Sequence, residues 1–261
     1  MFFTKDEMRI ISLASGSSGN CYLISAEGKN FLVDCGISAR KITTGLADLG
    51  IAPETLDAVF ITHEHTDHIS GVFVLSKRLG MPVYMTPKTY YAVKASRKIE
   101  NLRFFTPEER FSHDKIEILP FRVPHDAADP VGYKFFTDEG DIVVATDCGK
   151  ITDGVASAID GARALVLESN HDKKMLECGP YPPHLKVRIA GEFGHLSNAE
   201  AATLLCNMNR SNLSALLLGH LSRSNNLPNI VMDEALSAFG GDFHTTAVQI
   251  GDQFAPRELR L

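Results

Sequence analysis

FITHEHTDHISGV, residues 60–72, gathers His63, His65, Asp67 and His68 into six positions at the end of the apolar run AVFIT, residues 58–62. A short apolar, β-branched run reads as a buried strand, so the cluster falls where a strand gives way to a loop. If the HxH pair stays extended, His63 and His65 point to the same side and can clasp one ion. Asp67 and His68 can turn toward a second ion as a helix begins, since Ile69 to Leu79 carries a helical pattern that Gly80 ends. A single loop histidine is ordinarily a solvated residue, but three in six positions around an aspartate are not accounted for that way. Imidazole and carboxylate suit zinc, and also manganese or iron, without any cysteine. Two ions held about 3.5–4 Å apart share a hydroxide that is a strong nucleophile at neutral pH.

Four residues cannot fill two coordination shells, and further candidates stand behind other apolar runs. His125 of VPHD follows IEIL (116–119), Asp147 of TDCG follows DIVVAT (141–146), and His220 of GHLS follows SALLLG (214–219). Each alone reads as a turn or capping residue. Their ordered recurrence past strand ends is the pattern of ligands borrowed from one edge of a sheet. Asp147 is expected to bridge the two ions, with His125 completing the first site and His220 the second.

The rest of the 261 residues reads as one domain, 1–261, without linker, repeat or low-complexity tract. Further strands are expected at RIISL (9–13), CYLIS (21–25), NFLVD (30–34), GYKFF (132–136) and ALVLE (164–168), with TDEG (137–140) as a hairpin turn. Ser38 is placed to cap a helix presenting Ile42, Leu46 and Leu49 on one face. Ser197 to Glu200 is a capping box ahead of Ala201, Leu204, Leu205 and Met208. Strands interleaved with helices imply a layered α/β fold with sheets inside. The five cysteines (Cys21, Cys35, Cys148, Cys178, Cys206) lack a CxxC pair, point to neither a disulfide framework nor a thiolate zinc site, and are expected in the core. A net charge of −6 argues against a broad basic surface for nucleic acid, although two divalent cations would add positive charge where a phosphate sits. MFFTKDEMRI lacks the apolar centre of a leader, and no run approaches the ~20 residues of a membrane span, so a cytoplasmic protein without a membrane partner is expected.

HEHTDH, followed in order by His125, Asp147 and His220, resembles the HxHxDH pattern of the metallo-β-lactamase superfamily, and Asp34 in LVDCG matches that superfamily's first acidic position. The resemblance implies an αββα four-layer sandwich with two divalent metal ions, Zn²⁺ or Mn²⁺, at one edge of two packed sheets. The stretches LASGSSGNCYLI, FLVDCGIS, VPHDAADPVGY, ESNHD, GPYP, GHLSN and HLSRSNN are similar to the YycJ/WalJ group of that superfamily, 5′ to 3′ DNA exonucleases. That likeness implies a DNA substrate. Nuclease and phosphodiesterase branches carry an additional acid and histidine, and Glu168 of ESN and His195 of GHLSN occupy similar places. A histidine held by a carboxylate can protonate the leaving oxygen of a phosphodiester. The catalytic set implied is thus Asp67, Glu168 and His195, beside the ligands His63, His65, Asp67, His68, His125, Asp147 and His220. His125 and Asp147 are only 22 positions apart and Asp147 and His220 73 apart, too few for the tRNA-gripping arm of tRNase Z enzymes or the extra domain of RNase J-like enzymes.

Substrate contacts are expected from small polar loops. SGSSGN (15–20) brings Ser17 and Asn20, and HLSRSNN brings Ser222, Arg223, Asn225 and Asn226. No Lys-Ser or Lys-Thr closes the glycine-containing loop, so no nucleotide cofactor is expected. Tyr181 in the proline-stiffened GPYPP is placed to stack on a base, and Lys173, Lys174, Lys186 and Arg188 flank it as a basic rim. A small-molecule cyclic phosphodiester, ester or thioester hydrolase on the same metal centre is the alternative; the Glu168–His195 pair favours phosphoester chemistry over thioesters.

Overall fold

The computed structural model describes residues 8–93 and 98–261; the leader reading of residues 1–7 lies outside the described residues. Among them, fourteen strands form two seven-stranded sheets. The first contains β1 (Arg9–Ala14), β2 (Cys21–Ala26), β3 (Lys29–Val33), β4 (Ala58–Phe60), β5 (Val83–Met85) and β6 (Leu102–Phe104). The second contains β7 (Phe111–His113), β8 (Ile116–Arg122), β9 (Val131–Phe136), β10 (Ile142–Ala145), β11 (Ala164–Glu168), β12 (Ala215–Gly219) and β13 (Ala247–Ile250). The last strand, β14 (Arg257–Arg260), returns to the first sheet beside β1. In each sheet an antiparallel meander passes into parallel strands, from β3 to β6 in one and from β10 to β13 in the other. Parallel strands covered on both faces read as continuous apolar runs, and β10, β11 and β12 are buried at every position.

Three apolar layers separate four structural ones. Between the sheets, Phe31, Phe60, Tyr133 and Phe135 interlock, with Phe60 edge-on to Phe31 and to Phe135 at ring separations of 5.4 Å each. Outside the first sheet, Ile42 and Leu46 of α1 (Ala39–Asp48) and Val72 and Leu75 of α3 (Val72–Leu79) cover Ile11, Leu32 and Val59. Outside the second, α5 (Asp153–Ile159), α8 (Asn198–Asn207) and α9 (Pro228–Ala238) cover Val143, Leu165 and Leu216. This is the expected αββα sandwich. The capping box of Ser197 and Glu200 is formed, and Ser38 accepts from the Lys41 N–H as a cap should. The remaining helices, α2 (Thr66–Ile69), α4 (Pro87–Ala92), α6 (Lys173–Cys178) and α7 (Pro183–Ile189), are short. No helix among the described residues is long and apolar enough to cross a membrane.

Three expectations need correction. The helix expected from Ile69 to Leu79 is two pieces, α2 and α3, divided at Gly71, where a Cβ would stand 2.2 Å from the Ile37 carbonyl oxygen. The strand expected over 58–62 ends at Phe60, because Thr62 turns its N–H to Asp34 Oδ1 at 2.9 Å. Cys21, Cys35 and Cys148 are buried as expected, whereas Cys178 and Cys206 are exposed at helix ends.

Strands β8, β10, β11 and β12 run in one direction, so their carboxyl ends share an edge of the sandwich with the ends of β3 and β4. Every predicted metal ligand follows one of these ends.

Candidate metal centre

The loop after β4 is held by the loop after β3. Asp34 accepts from the Thr62 N–H and from Thr62 Oγ1 (2.8 Å), while the N–H groups of Asn20 and Cys35 donate to the carbonyls of Asp67 and His68, both at 2.8 Å. Gly36 permits this approach, since a Cβ there would lie 1.6 Å from the Asp67 carbonyl oxygen. Asp34, Asp147 and His220 have φ of 64°, 54° and 55°. Non-glycine residues in the left-handed region cost on the order of 1–3 kcal/mol each and persist where the surroundings over-determine them. Asp34 and His220 directly follow β3 and β12, and Asp147 stands two residues past β10, each where the side chain is aimed inward.

Four imidazoles have one nitrogen occupied and the other left facing the cluster. The His63 Nδ1–H donates to Thr62 Oγ1 (2.9 Å), whose own hydrogen goes to Asp34; His68 Nδ1 donates to Asp34 Oδ2 (2.7 Å). His125 Nδ1 donates to the Gly194 carbonyl (3.0 Å), and His220 Nδ1 to Glu168 Oε1 (3.0 Å). These partners fix the ring orientations and leave the Nε2 atoms of His63, His125 and His220 facing the cluster, the arrangement that carboxylates and carbonyls impose on metal-binding histidines, while His68 Nε2 meets Asn20 Nδ2 at 3.1 Å and Asp147 Oδ2 at 3.2 Å. Donor atoms of His63, His65 and His125 lie within 4.8 Å of one another, as do those of Asp67, His68 and His220 and those of His63, His68 and Asp147. Asp147 stands between the groups, with Oδ2 3.2 Å from His68 Nε2 and Oδ1 3.7 Å from His125 Nε2 and 3.1 Å from His220 Nδ1. The sequence-predicted ligands are therefore all brought together.

The donor set fits two divalent cations. His63 Nε2 and Asp147 Oδ2 are buried without any hydrogen-bond partner, atoms that stay orphaned unless something electrophilic sits between them. Asp34, Asp67, Asp147 and Glu168 bring four negative charges, which two dications balance if the imidazoles are neutral. Burial, reinforced by the neighbouring His68, holds His63 well below the usual imidazole range, and burial likewise lowers His125. Burial alone would raise Asp147, but His220 and His68 overcome it and keep the carboxylate well below its ordinary range. His68 is the converse: burial opposes its charge, yet Asp147 and Asp34 draw a proton onto it, which marks the pocket as one that attracts positive charge.

Beside the cluster, His195 donates from Nδ1 to Glu168 Oε1 at 2.8 Å. Glu168 is fully buried and also accepts from His220 Nδ1 and, through Oε2, from the N–H groups of Cys148 (2.7 Å) and Leu196 (3.4 Å). One carboxylate thus orients a candidate ligand and a candidate acid together. Burial disfavours charge on His195, but Glu168 outweighs it and raises the imidazolium to about 9, while Glu168 itself falls to about 2 against the pull of burial. Cations bound in the adjoining cluster would repel the imidazolium and lower the former value. A cleft of about 250 Å³ opens here, lined by His65, Asp67, His125, Asp147, His195 and His220, with Ser17, Tyr181 and Arg188 at its mouth.

The expected substrate contacts divide. Ser17 is exposed and lines the cleft. Asn20 is fully buried and adjoins His68 Nε2 through Nδ2 at 3.1 Å, so it belongs to the cluster and not to an outer surface. Ser222, Asn225 and Asn226 do not reach the cleft, which corrects the expectation for them. Asn226 Nδ2 donates to the carbonyls of Ser169 and Asn170, and Ser222 Oγ accepts from the Asn225 N–H, so these buried groups serve their own loop, with Asn225 Oδ1 left without a hydrogen-bond partner. Of the basic rim, Arg188 reaches the cleft, tied to Asp126 at 2.5 Å, whereas Lys186 is spent on the Glu177 carbonyl and Lys173 lies 3.6 Å from Glu200. His171 is buried against Ser197 and joins none of the clusters. Thr62 and the Gly194 carbonyl were not foreseen. Thr62 stands next to His63 in sequence, a signal that could have been used; a carbonyl 69 residues from His125 leaves none.

A sequence profile of the metallo-β-lactamase superfamily matches residues 14–162. Exodeoxyribonuclease WalJ of Streptococcus pneumoniae is 40% identical over 220 residues, 82% of either chain. The chain belongs to the metallo-β-lactamase superfamily. Exodeoxyribonuclease YycJ of Bacillus anthracis is 34% identical over 218 residues, covering 82% of this chain and 83% of that one. Two solved structures with the metallo-β-lactamase fold share the architecture: YhfI from Bacillus subtilis (TM-score 0.70, 20% identity, 97% and 100% of the two chains) and the short form of human tRNase Z (TM-score 0.66, 16% identity, 96% and 98%). At such identities the likeness speaks for the fold alone. Metallo-β-lactamase proteins bind divalent metals, in keeping with the orphaned donors described above.

Proposed function

We propose that the chain is a dinuclear-metal-dependent phosphodiesterase, a cytoplasmic DNA exonuclease working from the 5′ end. The observation that carries this reading is His195, held through Nδ1 by the buried Glu168 and lining the cleft beside the metal cluster. The 40% identity to an exodeoxyribonuclease along 82% of both chains supports DNA as the substrate. His63, His65 and His125 with Asp147 would hold one ion, and Asp67, His68 and His220 with Asp147 the other, zinc or manganese by the chemistry of the donors. A bound pair supplies Lewis acidity toward the phosphoryl oxygens and lowers the pKa of water.

The protein's own groups supply the remainder. Asp67 is partly exposed to the cleft; burial opposes its charge, but His68 keeps it ionised, ready to take a proton from the attacking water. Glu168 fixes the His195 ring so that Nε2 is the nitrogen free to deliver a proton to the departing sugar oxygen. Tyr181 and Arg188 at the mouth offer a ring for a base and a cation for a phosphate. In the test, metal-loaded protein is offered 5′-labelled and 3′-labelled duplex, bis(p-nitrophenyl) phosphate and S-lactoylglutathione. Mononucleotides released from the 5′ end support the reading; turnover of the small esters with DNA left intact defeats it.

A further inference from the structure

The loop of residues 15–20 separates the cleft from an open groove of about 560 Å³. This groove is lined by Leu13 and Ala14 of β1, Arg40 and Lys41 of α1, and Gln253 and Phe254 beyond β13. Arg40 and Lys41 are exposed, form no ion pair among the described residues, and occupy the first turn of a ten-residue helix that has no acidic residue there. The positive end of a helix disfavours cations, so two of them represent an electrostatic cost that an anionic partner would remove. Arg223 adds a third charge, its guanidinium 5.2 Å from the centre of the Phe254 ring. The acidic groups nearby are Asp48, also lining the groove, and Asp252, which is engaged by Arg257 at 3.4 Å and by the N–H groups of Phe254 and Ala255. The balance is positive in a chain of net charge −6.

Phe254 is 70% exposed, yet its backbone is pinned by the 2.7 Å bond from its N–H to Asp252 Oδ1. An aromatic ring set in solvent on a fixed turn, with a guanidinium against it, is the element on which single-stranded nucleic acid stacks its bases. The groove also adjoins the cleft. Ser17 lines the cleft, while the neighbouring Ser18 N–H donates to Gln253 Oε1 (2.9 Å) and Gln253 Nε2 donates to the Gly19 carbonyl (3.0 Å). Arg223 stands three residues beyond His220.

We propose that this groove is the track that holds the DNA strand beyond the reacting phosphate, with backbone phosphates on Arg40, Lys41 and Arg223 and a base on Phe254. The inference rests on the exonuclease reading and adds where the substrate lies. None of these residues belongs to the metal cluster, so its loss affects grip and not chemistry.

The test compares wild type with Arg40→Glu/Lys41→Glu and with Phe254→Ala, on a 5′-phosphorylated single strand of about 30 nucleotides across a salt series and on bis(p-nitrophenyl) phosphate. The charge reversal should raise KM for DNA about 10- to 100-fold and flatten the log–log salt dependence by about 1.5. Phe254→Ala should raise it about 5- to 10-fold. Both variants should keep kcat and small-diester turnover, and the charge reversal should melt no lower than wild type, because acidic groups suit that helix end. Unchanged KM and salt slope in variants of an enzyme that digests DNA overturn the track alone. A wild type that neither binds nor digests DNA overturns both the track and the exonuclease reading.

Discussion

Replacing Glu168 with glutamine removes one charge from the group that His195 and His220 share. If the amide oxygen keeps facing the two imidazoles, the amide nitrogen must face the N–H groups of Cys148 and Leu196, which lose their acceptor. At about 1–3 kcal/mol for each buried donor, the melting temperature should fall visibly while the fold survives. The catalytic effect has a sign that follows from the charge. Glu168 raises His195 to about 9, so the proton donor is present below that value and lost above it. Without the carboxylate, burial is opposed only by Asp147 and Asp126, and His195 falls to roughly 6.5 or below. At pH 8 the protonated fraction drops from roughly nine-tenths to roughly 3% or less, a loss of about 30-fold or more in kcat, whereas at pH 6 the loss is several-fold smaller. Cations in the cluster lower both values together and shift the window without abolishing it. The assay is kcat on DNA from pH 6 to 9 at saturating Mn²⁺, with metal content measured in parallel. A defect of the same size at every pH in metal-replete enzyme would refute the role of Glu168 in holding a protonated His195.

His195→Ala should lower the rate by about 10²- to 10⁴-fold while about two ions per chain remain, read by elemental analysis alongside turnover; loss of the ions with the rate would make His195 structural. Asp34→Asn leaves one acceptor oxygen where two serve the Thr62 N–H on one side and His68 Nδ1 with Thr62 Oγ1 on the other, so one side faces an amide NH2, and it should weaken one of two metal-binding events about 10- to 100-fold, visible by titration calorimetry. Gly36→Ala places a methyl group against the Asp67 carbonyl with no room to move, and should cost about 3 kcal/mol or more together with metal affinity; a wild-type melting curve would show that the two loops are not joined this tightly.

The centre was readable because its ligands are of two kinds, each with a local signal. His63, His65, Asp67 and His68 are contiguous, and His125, Asp147 and His220 each follow an apolar run whose end marks the sheet edge. What holds them in place was less visible. The Gly194 carbonyl that orients His125 is a backbone atom, and Asp34 could be matched to a pattern without revealing that it serves Thr62 and His68 together. Ser222, Asn225 and Asn226 were misplaced because polar residues in a loop look alike whether they face a ligand or satisfy buried carbonyls. Strands β5, β6 and β7 have three residues each, too few to show a period, and the break between α2 and α3 depends on the Ile37 carbonyl, more than thirty residues away. A layered α/β fold with sheets inside nonetheless followed from the alternation of apolar runs and helices, which is the part of a fold that hydrophobic burial writes most plainly, while the count of four layers came from the resemblance to the metallo-β-lactamase superfamily.

Side chains from four separate loops, those after β4, β8, β10 and β12, are held to enclose two cations with Asp147 between them. Anomalous diffraction from crystals grown with Mn²⁺ or Zn²⁺ tests it directly. The account predicts two peaks about 3.5–4 Å apart, one against His63, His65 and His125, the other against Asp67, His68 and His220, each within bonding distance of Asp147. Metal-soaked crystals with no peak at this edge, or with His125 and His220 turned away from a single ion, would contradict it.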